Sequence, residues 1–115
     1  MAGTDPECGG EAGDPATASE AWPAGQRTTV AFTTPSCLLR YLKAHPGAAV
    51  RAAYVPDALT GTRWFADRSV WAEDPAADAT ARFQPFTTPE NARTWLARHA
   101  GARLVDFARA VGEAP

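Results

Sequence analysis

The chain has little of what usually advertises chemistry. Among its 115 residues are two cysteines, two histidines and one methionine, Met1. With the only methionine at the start, read as an initiator residue, thioether ligation from within the fold is excluded. Two cysteines give weak arithmetic. There is no Cys-x-x-Cys pair, no His-Glu-x-x-His, no P-loop and no Gly-x-Ser-x-Gly, so the common metal, nucleotide and serine-nucleophile signatures are missing. The net charge is -2 and the arginines are spread out rather than gathered in a basic stripe, which argues against nucleic acid as a partner. No apolar run approaches the length of a membrane span. Met1-Ala2-Gly3-Thr4 has neither the basic segment nor the apolar stretch of a signal peptide.

Residues 1–25 differ in kind from the rest. They are rich in Gly, Ala, Glu, Asp, Thr and Pro, with Trp22 the only large apolar group. Such a segment buries too little apolar surface to fold alone, so it reads as a flexible leader, similar to the tether of a processed lipoprotein. That reading places the protein outside the cytoplasm; a native Met1 would instead place it inside. The folded part is then 26–115, small enough that its parts are expected to share one core.

What is present is an internal repeat. Phe32-Thr33-Thr34-Pro35 recurs letter for letter as Phe86-Thr87-Thr88-Pro89, an offset of 54 (86 − 32). The register holds through Leu42 and Leu96, His45 and His99, Gly47 and Gly101, and Ala48 and Ala102. A fixed offset over several matches indicates two similar structural units, about 26–72 and 80–110.

Each unit predicts a helix with defined ends. Thr34 and Thr88 fit an N-cap, and Pro35 and Pro89 the first helical position, where a missing N–H costs nothing. The helices are expected over Pro35–His45 and Pro89–His99. Leu38, Leu39 and Leu42 form one apolar stripe, and Ala92, Trp95 and Leu96 the other. Gly47 and Gly101 stand where left-handed C-caps are expected, and Pro46 reinforces the first stop. Strands are predicted over 28–32, 50–55, 63–65, 69–72, 81–86 and 104–107, with a turn over Asp57–Gly61. The pattern is α+β: helices on a mostly antiparallel sheet, with Trp64, Trp71 and Trp95 in the core.

Four residues could carry chemistry. Cys8 sits in the leader, where it is either an incidental or disulfide-bonded cysteine or a soft thiolate ligand suited to Cu(I). Cys37 is the third residue of the first helix. There the helix N-terminus favours a thiolate, as nucleophile or ligand, while its Leu-Leu neighbours favour simple burial. His45 and His99 occupy equivalent helix ends, which favours a capping role over metal ligation.

The segment Phe32–Pro46, the block Arg51-Ala52-Ala53-Tyr54-Val55-Pro56-Asp57 with Thr60-Gly61 and Trp64, and Phe86–Leu104 together resemble the NosL family. These are copper-binding accessory lipoproteins of nitrous oxide reductase maturation. The resemblance covers residues 26–107. It implies two related ββαβ halves packed as one small domain, and an extracytoplasmic, lipid-tethered protein that delivers Cu(I) to a copper-enzyme client. It also implies that Cys8-Gly9 corresponds to a Cys-Gly-Met copper motif. Gly10 replaces that methionine, and Asp74-Pro75-Ala76-Ala77 stands where the family has Met-Gly. The expected copper(I) ligands are therefore Cys8 with Cys37 or His99.

Three functions remain open from the sequence. One is copper(I) binding and delivery through Cys8, Cys37 and His99. The second is a repurposed binding or assembly protein without metal. The third is a small thiol- or copper-dependent enzyme with Cys37 as nucleophile, for which no base or oxyanion partner stands out. In an oxidising compartment Cys8 and Cys37 have the further option of a disulfide, which would staple the leader to the first helix and silence both thiols.

Overall fold

The computed structural model describes residues 3–47 and 49–115. Met1, read as an initiator, and Ala48, one of the matched repeat positions, lie outside the described residues. In chain order the elements are β1 (Ser19–Pro23), β2 (Val30–Phe32), α1 (Pro35–Ala44), β3 (Val50–Pro56), β4 (Arg63–Phe65), β5 (Val70–Glu73), β6 (Phe83–Phe86), α2 (Pro89–Leu96), β7 (Arg103–Val105) and α3 (Phe107–Gly112). Single 3-10 turns at Ala66–Arg68 and Ala79–Ala81 precede β5 and β6. Two antiparallel sheets form, in the orders β2-β1-β3-β4 and β6-β5-β7. The protein is a small α+β domain.

Each sheet is built the same way. A central strand (β1 or β5) pairs on one side with the strand entering a helix and on the other with the strand leaving it. A hairpin precedes each central strand: an isolated bridge between Thr4 and Glu11 in one half, β3 turning into β4 in the other. The repeat is thus strand–strand–helix–strand, but its frame differs from the one expected. The first unit begins at the N-terminal hairpin and ends in β3; the second begins at the end of β3. Arg63–Phe65 belongs to the second unit, not the first.

The flexible leader expected over 1–25 is corrected accordingly. Ser19–Pro23 is the central strand of the first sheet, with Ala21 and Ser19 fully covered. A strand held on both edges needs few large side chains of its own, because Phe32, Val30 and Ala53 on its neighbours supply the apolar surface. Small residues therefore gave no sign of burial.

Both helices start as the sequence predicts. The Thr34 and Thr88 hydroxyls accept from the amides of Cys37 and Asn91 at 3.2 and 3.1 Å. Their stops differ. Gly101 adopts the left-handed conformation at φ 87°. Gly47 does not, because Pro46 has already ended α1: the residue before a proline is pushed out of the helical region, and His45 sits at φ −125°, ψ 58°. The α2 ladder closes at Leu96, and Ala97–His99 tightens into a turn in which Arg98 and His99 donate to Trp95 and Leu96. Phe107, expected in the last strand, opens α3 instead. The Asp106 carboxylate caps it by accepting from the Arg109 amide at 2.7 Å.

α1 packs against β1 and β2 of one sheet and β6 of the other. Leu38, Leu39, Phe32, Val55, Trp71 and Phe83 share one core between the sheets. A second cluster of Ala72, Phe86 and Ala92, flanked by Trp95 and Leu96, lies under α2. Side chains alternate across β5, so Trp71 faces the first cluster and Ala72 the second. Trp71 also donates its indole N–H to the Ala66 carbonyl at 2.8 Å. Trp64, expected in the core, is 42% exposed, because its strand is three residues long and lies at the sheet edge.

Candidate functional site

The site forms where the N-terminal hairpin meets the first turn of α1. Asp5-Pro6-Glu7-Cys8-Gly9-Gly10 closes a tight loop: Asp5 donates its amide to the Gly10 carbonyl at 2.9 Å, and Gly9 donates back to the Asp5 carbonyl at 3.1 Å. Gly9 and Gly10 have φ 77° and 81°, a region open to glycine and costly for other residues. The Asp5 carboxylate is buried at the centre. One oxygen accepts from the amides of Glu7 and Cys8 at 2.7 and 2.9 Å. The other accepts from the amide and hydroxyl of Thr33 at 2.7 and 2.9 Å. One side chain thereby holds the loop against the entrance of α1 and delivers Cys8 to Cys37.

Cys8 and Cys37 are joined as a disulfide, with their Cα atoms 6.0 Å apart. Cys37 is fully buried and Cys8 half-buried. Around the sulfurs are groups that favour negative charge. Cys37 lies in the first turn of α1, its Sγ 3.1 Å from the Thr34 hydroxyl and 3.7 Å from that of Thr33. Arg40, one turn along the helix, brings a guanidinium nitrogen to 3.9 Å from the Cys8 Sγ. Helix N-termini, hydroxyl donors and a neighbouring cation all stabilise a thiolate over a thiol.

Among the described residues, the potential metal-ligand atoms that converge within 4.8 Å of one another come from Asp5, Cys8 and Cys37. The sequence expectation thus brought together two of its three residues. His99 is not among them. It stands at the end of α2, its ring stacked on Trp95 at 3.7 Å between centroids and its Nδ1 2.7 Å from the Trp95 carbonyl. His45 does the same on α1, with Nδ1 2.9 Å from the Tyr41 carbonyl. Both histidines cap their helices, one half-buried and one exposed. His99 as a copper ligand beside the sulfurs is therefore corrected. Asp5 was missed by sequence reading. Its signal was available: Asp5-x-x-Cys8-Gly9 is echoed by Asp57-x-x-Thr60-Gly61 in the second unit.

In the oxidised form neither sulfur is a thiolate, so the pair has no strong soft donor to offer. Two-electron reduction would free two adjacent thiols beside a carboxylate. The region where the resembled family carries Met-Gly is a turn here, closed by the Asp74 amide to Arg82 carbonyl and the Ala77 amide to Asp74 carbonyl bonds at 2.7 and 3.1 Å. It brings no sulfur to the site.

A second acidic cluster serves the fold. Glu73, fully covered, receives Arg82 at 2.8 Å and Arg103 at 2.9 Å. Burial disfavours its charge, but the two guanidiniums outweigh it and hold the carboxyl below its ordinary range.

No protein-family model, curated protein or solved structure matches this chain.

Proposed function

We propose that this chain is an extracytoplasmic copper(I)-binding accessory protein for the maturation of a copper enzyme such as nitrous oxide reductase, with Cys8 and Cys37 as its paired ligands. The observation that carries this reading is the convergence of the two sulfurs at the first turn of α1, beside Arg40 and the Thr33 and Thr34 hydroxyls. Thiolates select Cu(I) because donor and ion are both soft. Two of them replace the thiolate-and-thioether set that Gly10 rules out.

On this reading the disulfide is the closed state of the site. A dithiol reductant transfers two electrons and two protons, breaking the S–S bond and leaving two thiols; the reductant leaves as its own disulfide. Cu(I) then displaces the thiol protons. The disulfide also supports a location outside the cytoplasm, where such bonds persist. Among the described residues no helix is long and apolar enough to cross a membrane.

A second reading is a binding or assembly protein without metal. It is favoured by the disulfide itself, which occupies both soft donors. One experiment separates the two. The oxidised protein, the reduced protein, and reduced Cys8→Ser and Cys37→Ser are titrated with Cu(I) against a chromophoric chelator. Stoichiometric binding only in the reduced wild type, lost in both variants, is the expected result. Reduced wild type that fails to compete with the chelator sinks the copper reading and leaves the metal-free one.

A further inference from the structure

Away from the sulfurs, the first sheet leaves one strand edge uncovered. β4 pairs with β3 only over Tyr54–Pro56, so Val50–Ala53 has no strand neighbour on that side. The 3-10 turn Ala66–Arg68 packs beside β3 without extending the sheet, and residues of α3 and the end of α1 form the other wall. What remains is an open cavity of about 430 Å3. That lies within the range of small-molecule sites, roughly 300–1,000 Å3.

Its floor is apolar. Leu42, Val50, Ala53, Phe107 and Val111 pack against the main core yet stay only partly covered. Its rim is charged. Arg51, Arg68, Asp67 and His45 stand around the mouth. Two guanidiniums against one carboxylate leave a net positive opening.

Both arginines are positioned rather than loose. The β1–β3 register pairs Trp22 with Ala52 and Pro23 with Val50, so Arg51 is the extra residue of a bulge. A bulge re-aims the side chain it displaces. The Arg51 guanidinium lies over the Trp22 ring at 4.8 Å, and that of Arg68 over Phe65 at 5.1 Å. Stacking on a ring face leaves the N–H edge of a guanidinium free to bind an anion. Among the described residues neither arginine has a carboxylate within salt-bridge distance, a condition they share with Arg27, Arg40 and Arg98.

We infer that this cavity binds a small amphipathic carboxylate, its apolar body on the floor and its headgroup held by Arg51 and Arg68. An apolar pocket with a few placed polar groups is the usual form of such a site. A guanidinium suits a carboxylate through charge-assisted, two-pronged hydrogen bonds. Neither the copper reading nor the metal-free one is needed for this inference.

The test uses octanoate as probe, with octan-1-ol as the uncharged chain and acetate as the bare headgroup. Binding is followed by amide chemical shifts and calorimetry on the whole oxidised chain. Octanoate is expected to saturate, to shift the amides of Val50, Ala53 and Val111, and to bind at least tenfold more tightly than either control. Arg51→Gln with Arg68→Gln is expected to weaken octanoate at least tenfold and leave octan-1-ol unchanged. Both side chains are exposed, so an unaltered melting curve is expected and serves as the folding control. Equal binding of octanoate and octan-1-ol, no effect of the double substitution, or no saturable shift at those amides would each overturn the inference.

Discussion

Asp5 and Asp57 occupy the same position in the two halves and share four equivalent hydrogen bonds. One oxygen of each accepts from the amides two and three residues later, Glu7 and Cys8 in one half, Leu59 and Thr60 in the other. The second oxygen accepts from the amide and hydroxyl of Thr33 or Thr87, the residue before each helix cap. Both loops close on a glycine at φ near 78°, Gly9 at 77° and Gly61 at 79°. At the positions of the two sulfurs the halves part: Cys8 is replaced by Thr60, and Cys37 by Asn91. Where the first half has a disulfide, the second has Asn91 donating to Asp57 at 3.0 Å. The carboxylate is thus what the loop needs in order to form, and the sulfur pair is an addition the second half does without. That contrast is why the sulfurs, rather than the aspartates, carry the functional proposal.

Asp57→Ala should therefore be costly. It removes the shared acceptor of five donors and leaves the Thr87 and Thr60 amides short of a partner. A loss of about 3 kcal/mol is expected from deleting a charged acceptor at a largely covered site. Asp5→Ala should cost less while the disulfide is intact, because the loop stays covalently attached to α1. On reduction its cost should rise, a non-additivity expected of groups that hold one loop together. Urea denaturation of the single variants, oxidised and reduced, measures both effects.

Acid should unfold the protein from a defined side. Burial works against the charge of both Asp57 and Glu73. It is outweighed at Asp57 by the Thr87 amide and the Asn91 side chain, and at Glu73 by Arg82 and Arg103. Each carboxyl therefore ionises below its ordinary range in the folded protein. A lowered carboxyl pKa gives stability that is fully present above the unfolded value, about 4, and is lost as the pH falls through the folded one. Urea midpoints should hold from neutral pH to about 5 and decline steadily below 4. Glu73→Gln should flatten that decline as well as lower stability at pH 7. A decline of unchanged steepness in Glu73→Gln would show that this carboxylate is not coupled to folding.

The sequence made the helices legible and concealed the frame around them. Thr-Thr-Pro fixes a helix start by local chemistry alone, so Pro35 and Pro89 could be read directly. β1 could not, because Ser-Glu-Ala-Trp-Pro has no apolar alternation and its burial is supplied by neighbours distant in sequence. The same applies to Asp5. A buried carboxylate is recognisable only by its partners, and Thr33 lies beyond two strands, β1 and β2. Gly47 misled in the opposite direction: its place in the repeat suggested a left-handed cap, and Pro46 made one unnecessary. Pairing the Asp-x-x-x-Gly loops of the two halves would have supplied the missing register. The insertion of two residues between loop and helix motif (54 against 57 − 5 = 52) hid it from a search at fixed offset.

Ser36 joins the two halves and should be sensitive to truncation. Its hydroxyl donates to the Phe83 carbonyl at 3.0 Å and accepts from the Phe83 amide at 2.9 Å, in a fully covered site. This ties the first turn of α1 to β6 of the other sheet. Ser36→Ala leaves both Phe83 groups without that partner, at an expected cost of about 2 kcal/mol. Hydrogen exchange should show the Phe83 amide losing protection before the amides of β2 do. Equal loss in both strands would mean that the bond does not link the halves.

Reduction of the disulfide should lower stability, and copper should restore it if the sulfurs are a metal site. The bridge joins residues 29 apart in sequence. Closing a loop of that length lowers the entropy of the unfolded chain by an amount worth about 3.5 kcal/mol at 25 °C. A metal held by both thiolates closes the same loop, and it binds the folded chain in preference to the unfolded one, so it adds stability as ligand concentration exceeds the dissociation constant. Reduced, metal-free protein should therefore unfold at a lower urea midpoint than oxidised protein, and one equivalent of Cu(I) should recover much of the difference. Cys37→Ser should resemble the reduced form whether or not Cu(I) is added. A reduced midpoint that Cu(I) leaves unmoved would mean that the sulfurs serve the fold as a staple and nothing more, and the Asn91 contact in the other half would then be its non-covalent counterpart.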